Sequence, residues 1–371
     1  MAWLGQRSAT TGDGLITYSR EITRGLTQRG LRVDFFHHEP DLAGEGSIAL
    51  PALTAPRGFR IAAPGARRRL AGLLRQRRVD LVHASLSFSS LDFELADLCH
   101  ELGLPVVATV HAPFDTRTTM WGALSRMLYR IYSGPLAPFD RIIVFGVTQL
   151  ELLASLGVPR KSVRVVPNGV DVDRYSPGPS DWARRLGARR LFVYMGRLDP
   201  EKNAQALVDA FLAADPPPDV RLALAGSGSE RRRLEARHRD DRLAFLGPMA
   251  DEAERIALLR AAEAFFLPSS IEGLSLALLE AMACGACPVA TDVGVDGDAV
   301  RGAGVVLEPV NLESELRFAV RLLCSTPSLT LHLGHLARRR AVERYSLERN
   351  IDALVGMYEE LSERAAIPST A

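Results

Sequence analysis

The chain has 371 residues, 47% of them hydrophobic and 24% charged, so it is long enough for two domains and too apolar for extended disorder. With 45 Lys and Arg against 44 Asp and Glu, the net charge of +1 argues against a bulk nucleic-acid binder. No apolar run reaches the ~18 residues of a membrane span. The N-terminus has no signal-peptide pattern, and four cysteines make no disulfide framework, so the expectation is a cytoplasmic protein.

Short apolar strands alternate with amphipathic helices from the start. The first half predicts strands at Ala2–Leu4, Arg32–Phe36, Leu81–His83, Val106–Val110 and Arg141–Phe145. Helices are expected between them at Leu15–Arg29, Arg67–Arg78, Phe93–Leu102 and Met120–Tyr132. The second half repeats the scheme, with strands at Leu191–Met195, Arg221–Ala225, Leu243–Phe245, Ala264–Leu267 and Pro288–Thr291. Its helices are expected at Asn203–Leu212, Glu230–Arg239, Glu252–Arg260 and Leu276–Cys284, with a last one near Leu347–Ser362. Alternation of this kind builds parallel sheets covered on both faces. Turn residues concentrate at Pro167–Asp171 and Ser176–Ser180, which marks a linker near residue 170. The fold class is therefore α/β: two facing Rossmann-like domains with parallel sheets and an inter-domain cleft. Ligands of such sheets bind beyond the carboxyl ends of the strands.

Three segments at predicted strand ends carry chemistry. In Ser269–Met282 a strand runs into a helix through Glu272-Gly273-Leu274-Ser275, and unpaired amides at a helix start attract an anion such as phosphate. Carboxylates repel phosphate, so Glu272 and Glu280 suit sugar hydroxyls on either side of it. Glu280 also sits among Leu278, Leu279, Ala281 and Met282, where a charge needs a reason. The second segment, Gly196-Arg197-Leu198-Asp199-Pro200-Glu201-Lys202-Asn203, offers two cations for a diphosphate, one a planar fork and one a point charge. Lys202 stands out because only it and Lys161 are lysines. The third, Gly12-Asp13-Gly14, opens the first long helix; with Asp34 it imitates a dinucleotide fingerprint, but the glycines do not directly follow the strand. His111, at the end of a strand, is placed to hydrogen-bond a hydroxyl or phosphate.

Other signals are set aside. Cys284 and Cys287 have no second pair for zinc and read as buried thiols beside a glycine cap. Asp171 and Asp173 lie in the linker. Asp292, Asp296 and Asp298 are too sparse for a calcium loop. No metal site is expected.

On these motifs the chain resembles the large family-4 group of retaining glycosyltransferases, also described as group 1, which have the GT-B fold. The resemblance rests on the Glu272-x7-Glu280 pair, on Gly196-Arg197-Leu198 with Glu201-Lys202-Asn203, and on Pro167-Asn168-Gly169-Val170-Asp171. It implies a nucleotide-diphosphate sugar (UDP- or GDP-hexose) as donor and no cofactor. Glu280 would hold the ribose and Arg197 and Lys202 the diphosphate. Glu272 and the backbone of Gly273, Leu274 and Ser275 would meet the sugar and its phosphate. Gly14 would correspond to the N-terminal glycine loop and His111 to a histidine near the transferred sugar. The implied organisation is an acceptor domain over 1–168, a donor domain over 169–345, and a last helix, 346–371, returning to the first domain. Gly146 stands where the family often has Ser or Thr.

The acceptor is signalled by two stretches. From Gly46 to Val79 there is no acid but there are eight arginines, among them Arg67, Arg68 and Arg69, and Leu70, Leu73 and Leu74 give that segment an apolar face. From Phe114 to Tyr132, Met120, Trp121, Leu124, Met127, Leu128 and Ile131 recur at helical spacing beside Arg117, Arg126 and Arg130. Basic amphipathic helices suit an anionic membrane surface. The expectation is peripheral docking on the inner face of the cell membrane and a lipid or lipid-linked acceptor. The alternatives are a soluble sugar acceptor and a nucleotide-sugar epimerase on the same fold.

Overall fold

The computed structural model describes all residues except 7–13, 40–46, 55–59, 87–88, 116, 118–119 and 367–371. The chain divides into two compact units. One comprises Met1–Ala112, Thr116–Pro167 and Asn350–Ala371; the other comprises Pro113–Asp115 and Asn168–Arg349.

In the first unit seven strands form one parallel sheet. Their order is Ser47–Ala49, Asp34–His37, Ala2–Leu4, Val82–Ser85, Val106–Thr109, Arg141–Val144 and Val163–Val165. The strands Val82–Ser85, Val106–Thr109 and Arg141–Val144 are buried throughout, as strands covered on both faces must be. An antiparallel hairpin of Ala52–Thr54 and Arg60–Ala62 stands apart from the sheet. From Asn350 the last helix packs within this unit. Tyr358 meets His83 Nδ1 through its hydroxyl at 2.5 Å, and Asn350 Nδ2 donates to the Pro167 carbonyl at 2.5 Å. His83 also reaches Thr109 Oγ1 at 2.7 Å; burial pushes its pKa down to about 3, so it is a neutral link in the core.

The second unit holds a six-stranded parallel sheet in the order Leu243–Gly247, Val220–Ala225, Arg190–Met195, Ala264–Leu267, Cys287–Thr291 and Val305–Leu307. Chain order reverses between Arg190–Met195 and Ala264–Leu267, which are direct neighbours. A crevice opens at such a reversal because the connections leave toward opposite faces. Both strands are wholly buried, and apart from Arg190, which pairs with Glu263, they carry apolar and aromatic side chains. Phe192, Phe211, Phe266 and the aliphatic residues of Leu312–Ser325 build the core on one side of the sheet.

The predicted elements are present with shifts of a residue or two at most ends. Short edge strands (Ser47–Ala49, Val163–Val165, Val305–Leu307) and the helices Val147–Ser155, Leu312–Ser325 and Pro327–Arg344 are additional to them. One expectation is corrected. The apolar face of the basic helix, now Ala66–Gln76, points inward: Leu70 and Leu74 are buried in the core.

Helix Pro327–Arg344 crosses the end of helix Leu276–Cys284 at Gly334, where a Cβ would come within 2.3 Å of the Gly285 carbonyl oxygen. Gly334→Ala should therefore cost about 1–3 kcal/mol and lower Tm by several degrees, because backbone atoms cannot give way. Gly356 lies exposed in the last helix with nothing near it, so Gly356→Ala should be neutral or stabilise by about 0.5–1 kcal/mol. Thermal unfolding followed by circular dichroism separates the two outcomes.

Candidate active site

The loops after the two strands that flank the chain reversal carry most of the residues singled out by sequence. After Arg190–Met195 the chain runs through Gly196 to Asn203; after Ala264–Leu267 it runs from Pro268 to Ser275. Polar contacts stitch these loops together. Asn203 takes a left-handed conformation (φ 52°), and its side-chain amide donates to the Pro268 carbonyl and to Ser270 Oγ, both at 2.8 Å. The Ser270 amide donates to the Glu201 carbonyl at 2.7 Å. Lys202 Nζ donates to Glu272 Oε1, which also accepts from Ser269 Oγ at 2.8 Å. Both members of that ion pair are largely buried.

Arg197 is held differently. Its guanidinium bonds Asp199 at 2.5 Å and Glu201 at 2.8 Å while staying mostly exposed. Asp199 in turn accepts from the Ser229 amide and hydroxyl at 2.9 Å. Those two hydrogen bonds and Arg197 hold its carboxyl below the usual range. Each predicted cation thus has a carboxylate partner in this structure.

Helix Leu276–Cys284 starts at Ser275, whose hydroxyl caps the Leu278 amide at 3.4 Å, and stops at Gly285, whose φ of 88° suits glycine. Leu278, Leu279 and Ala281–Cys284 face the core, leaving Leu276, Ala277 and Glu280 on the remaining face. The Leu276 and Ala277 amides have no acceptor among the described residues. Open amides at a helix start are groups that suit an anion. The amide of Ser275, expected to be open, is engaged: it donates to Asp296 Oδ1 at 2.8 Å.

Glu280 lies near Tyr175, Arg255, Glu252 and Arg174. Burial pushes its pKa up to about 7, against the pull of Arg255 and the Tyr175 hydroxyl. It titrates at neutrality, unlike a solvated helix glutamate. Tyr175 itself donates to Glu252 at 3.2 Å.

Sequence reasoning missed several contributors. Asn168, noted only as part of a linker motif, donates to the Leu274 carbonyl at 2.7 Å and is buried. The Phe114 amide donates to the Glu272 carbonyl at 3.1 Å, fixing the loop from a segment 158 positions earlier that had been read as acceptor-side. Asp296, set aside as part of a sparse acidic loop, is fully buried against the site. Cys284 and Cys287 are free, buried thiols. Asp171 accepts from the Asp173 and Arg174 amides, a turn-capping role.

In the first unit, His111 follows the strand Val106–Thr109. Its Nε2 lies 2.9 Å from Ser85 Oγ, and its ring meets Tyr18 edge-on at 4.6 Å. Burial pushes its pKa down to about 3, so it is a neutral imidazole and offers no positive charge to a phosphate. A small apolar pocket beside it is lined by Leu86, Val110, Ala112, Leu128, Tyr132 and Leu136. Gly14 begins helix Gly14–Gln28; Gly12 and Asp13 fall outside the described residues.

Of the two stretches expected to meet a membrane, one changes character. In the basic helix Arg67 is paired with Glu101 at 2.8 Å and Glu94 at 3.6 Å, while Arg68 and Arg69 are exposed. In helix Met120–Leu136 the side chains of Met120, Leu124, Met127 and Ile131 are half or more exposed. At 100° per residue those four lie within an arc of roughly 60°. Trp121 is in this helix, but its side chain is outside the description.

Comparison with known proteins gives the family and the fold. The model of Glycosyltransferase Family 4 matches residues 12–174, and that of Glycosyl transferases group 1 matches residues 189–325. The chain is 29% identical over 322 residues to a glycogen synthase of Mycobacterium tuberculosis, covering 83% of this chain and 75% of that one. It is 27% identical to the MMP alpha-(1->4)-mannosyltransferase of Mycolicibacterium hassiacum, with 99% of both chains covered. Anabaena HepE, solved in complex with UDP-glucose, superposes with a TM-score of 0.77 at 17% identity, covering 97% of this chain and 100% of that one. That superposition bears on fold and agrees with two parallel-sheet α/β units of the GT-B kind. The two family models follow one another along the chain: this protein belongs to the glycosyltransferases of family 4 and group 1.

Proposed function

We propose that the protein is a retaining hexosyltransferase that takes its sugar from a UDP- or GDP-hexose and needs no metal ion. The observation that carries this reading is the stitched pair of loops at the sheet reversal, with Lys202 and Arg197 on one loop and the open Leu276 and Ala277 amides where the other enters its helix. The diphosphate would draw Lys202 from Glu272 and Arg197 from its two acids. Glu272, released from Lys202 but still held by Ser269, becomes an acceptor for hydroxyls of the hexose. Glu280, on the helix that follows and eight residues on from Glu272, accepts the ribose hydroxyls. Once those exchanges are made on binding, developing charge on the departing diphosphate meets cations and amides already in place, and these supply the neutralisation a divalent ion would otherwise provide.

In this reading the bond from the anomeric carbon to the phosphate oxygen breaks through an oxocarbenium-like state. The acceptor oxygen attacks from the same face, and its proton passes to the leaving phosphate oxygen. The first unit binds the acceptor, with the neutral His111 imidazole as a hydrogen-bonding group for a hydroxyl. The acceptor is a lipid or lipid-linked glycan. The support is the exposed Met120, Leu124, Met127 and Ile131 stripe, on a helix flanked by Arg126 and Arg130, in a stretch with no acid between Asp115 and Asp140. Exposed Arg68 and Arg69 add positive charge in the same unit. The stripe would enter the headgroup boundary of an anionic membrane while the arginines meet its phosphates.

Three experiments test these statements. Lys202→Ala and Arg197→Ala should each lower kcat/KM for the donor by about 10²–10³, without unfolding; near-normal rates in both would remove the donor assignment, and conversion of donor alone into an isomeric sugar would favour an epimerase. Ribose hydroxyls bind the ionised form of Glu280, so nucleoside diphosphate affinity should rise with pH through about 7 and be about ten-fold weaker at pH 6 than at pH 8. Glu280→Gln should flatten that profile at the weak end, as titration calorimetry would show. Finally, flotation with vesicles containing anionic lipid should carry the protein upward at low salt, and Met127→Glu with Ile131→Glu should abolish this; a wild-type protein left at the bottom of the gradient argues for a soluble acceptor.

A further inference from the structure

The loop Asp292–Gly297 packs directly beneath the Glu272–Ser275 turn. Gly294 has φ 57°, and a Cβ there would come within 2.3 Å of the Glu272 carbonyl oxygen and 2.5 Å of the Gly273 carbonyl oxygen. The Val295 amide donates to that Gly273 carbonyl at 2.7 Å. Next in sequence, Asp296 is fully buried and accepts the Ser275 amide on Oδ1 at 2.8 Å, while its Oδ2 is buried without a partner. We propose that Asp296 is a positioning residue for donor binding: it fixes the turn that presents Glu272 and the first free amides of helix Leu276–Cys284 to the nucleotide sugar. This rests on the donor reading above and adds a residue to it.

The argument is one of charge and of unmet hydrogen bonds. An ionised carboxylate in this place would have one amide as its only hydrogen-bond partner, with its second oxygen unsolvated. It would also put a second negative charge near Glu272, in competition for Lys202. Burial first, and then Glu272, hold the Asp296 carboxyl well above the ordinary range, against the Ser275 amide and Lys202; Tyr345, with Arg340, Arg344 and Asp298 around it, and Asp292, packed against Gly297, are titratable groups nearby. The neutral acid keeps the one acceptor that Ser275 requires and leaves Glu272 as the anion that pairs with Lys202. A buried acid at this position would be superfluous if the turn held itself. The turn does not close on itself: its carbonyls and the Ser275 amide are taken by Phe114, Asn168, Val295 and Asp296, all distant in sequence.

The test uses the whole protein, titrated with UDP and with GDP at pH 7 by calorimetry, and turnover with donor. Asp296→Asn keeps an oxygen for the Ser275 amide and carries no charge, so its Kd should stay within about 3-fold of wild type. Asp296→Ala loses the anchor and should weaken nucleoside diphosphate binding by about 10–100-fold, the scale of one buried amide left unpaired. Its kcat at saturating donor, and its KM for acceptor, should stay within about 3-fold, because Asp296 does not touch the reacting atoms. A merely structural residue would lower Tm in both variants without this split. Alanine binding as tightly as wild type, or folded asparagine losing more than 10-fold, overturns the proposal. Should the alanine variant not fold, the asparagine Kd decides alone by the same limits. A wild-type protein that binds neither UDP nor GDP instead overturns the donor reading on which this rests.

Discussion

The ion pair between Lys202 and Glu272 is the constraint around which the candidate site is organised. Bringing two opposite charges out of water costs more than their attraction returns unless other hydrogen bonds complete them. Here Ser269 completes the carboxylate, and Asn203 and the Ser270 amide lock the two loops that bring the charges together. The pair is therefore a poor device for stability and a good one for readiness. It holds a cation at a sheet reversal, and in the donor reading proposed above its carboxylate partner would take hydroxyls once a diphosphate draws the cation away.

That arrangement depends on topology rather than on any single loop. Strands Arg190–Met195 and Ala264–Leu267 are adjacent only because the chain has crossed the sheet twice between them, and 70 residues separate Lys202 from Glu272. The sheet itself is held by wholly buried apolar strands and by Phe192, Phe211 and Phe266 behind them. The polar stitching is thus added to a scaffold that does not need it. Changes in the stitching should reach ligand affinity before they reach folding, which is why affinity and turnover are the informative measurements at these residues.

The sequence made the central strands legible because strands covered on both faces are continuous apolar runs, and Ala264–Leu267 has the bounds its composition predicts. Edge strands such as Val163–Val165 and Val305–Leu307 are three residues long and half-exposed, so they leave little pattern. Among site residues, charged groups at strand ends were readable from position. Asp296 was not: in sequence it is one of three aspartates in a loop, and only tertiary packing buries it and raises its pKa. Ser275 misled for the same reason, since a helix-capping serine ordinarily leaves its own amide to solvent or ligand. His111 was placed at the correct strand end, but its burial between Tyr18 and Phe145, which removes its charge, is invisible from the sequence.

The two basic amphipathic stretches of the first unit show what periodicity does and does not determine. Helices Ala66–Gln76 and Met120–Leu136 both carry an apolar stripe with arginines beside it. In the first, Leu70 and Leu74 complete the core, and Arg67 and Arg77 are tied to Glu101 and Asp34. In the second, Leu128, Tyr129 and Leu136 fill the inward side, so Met120, Leu124, Met127 and Ile131 form an apolar surface beyond what the core requires. A helix with two apolar faces has one to spare, and flexible methionines suit a surface that must adapt to disordered chains. The inward face lines the pocket beside His111, so one helix supplies both an uncovered apolar exterior and an apolar wall next to a hydrogen-bonding group. An acceptor with a hydroxyl head on a hydrocarbon anchor would find both on the same seventeen residues.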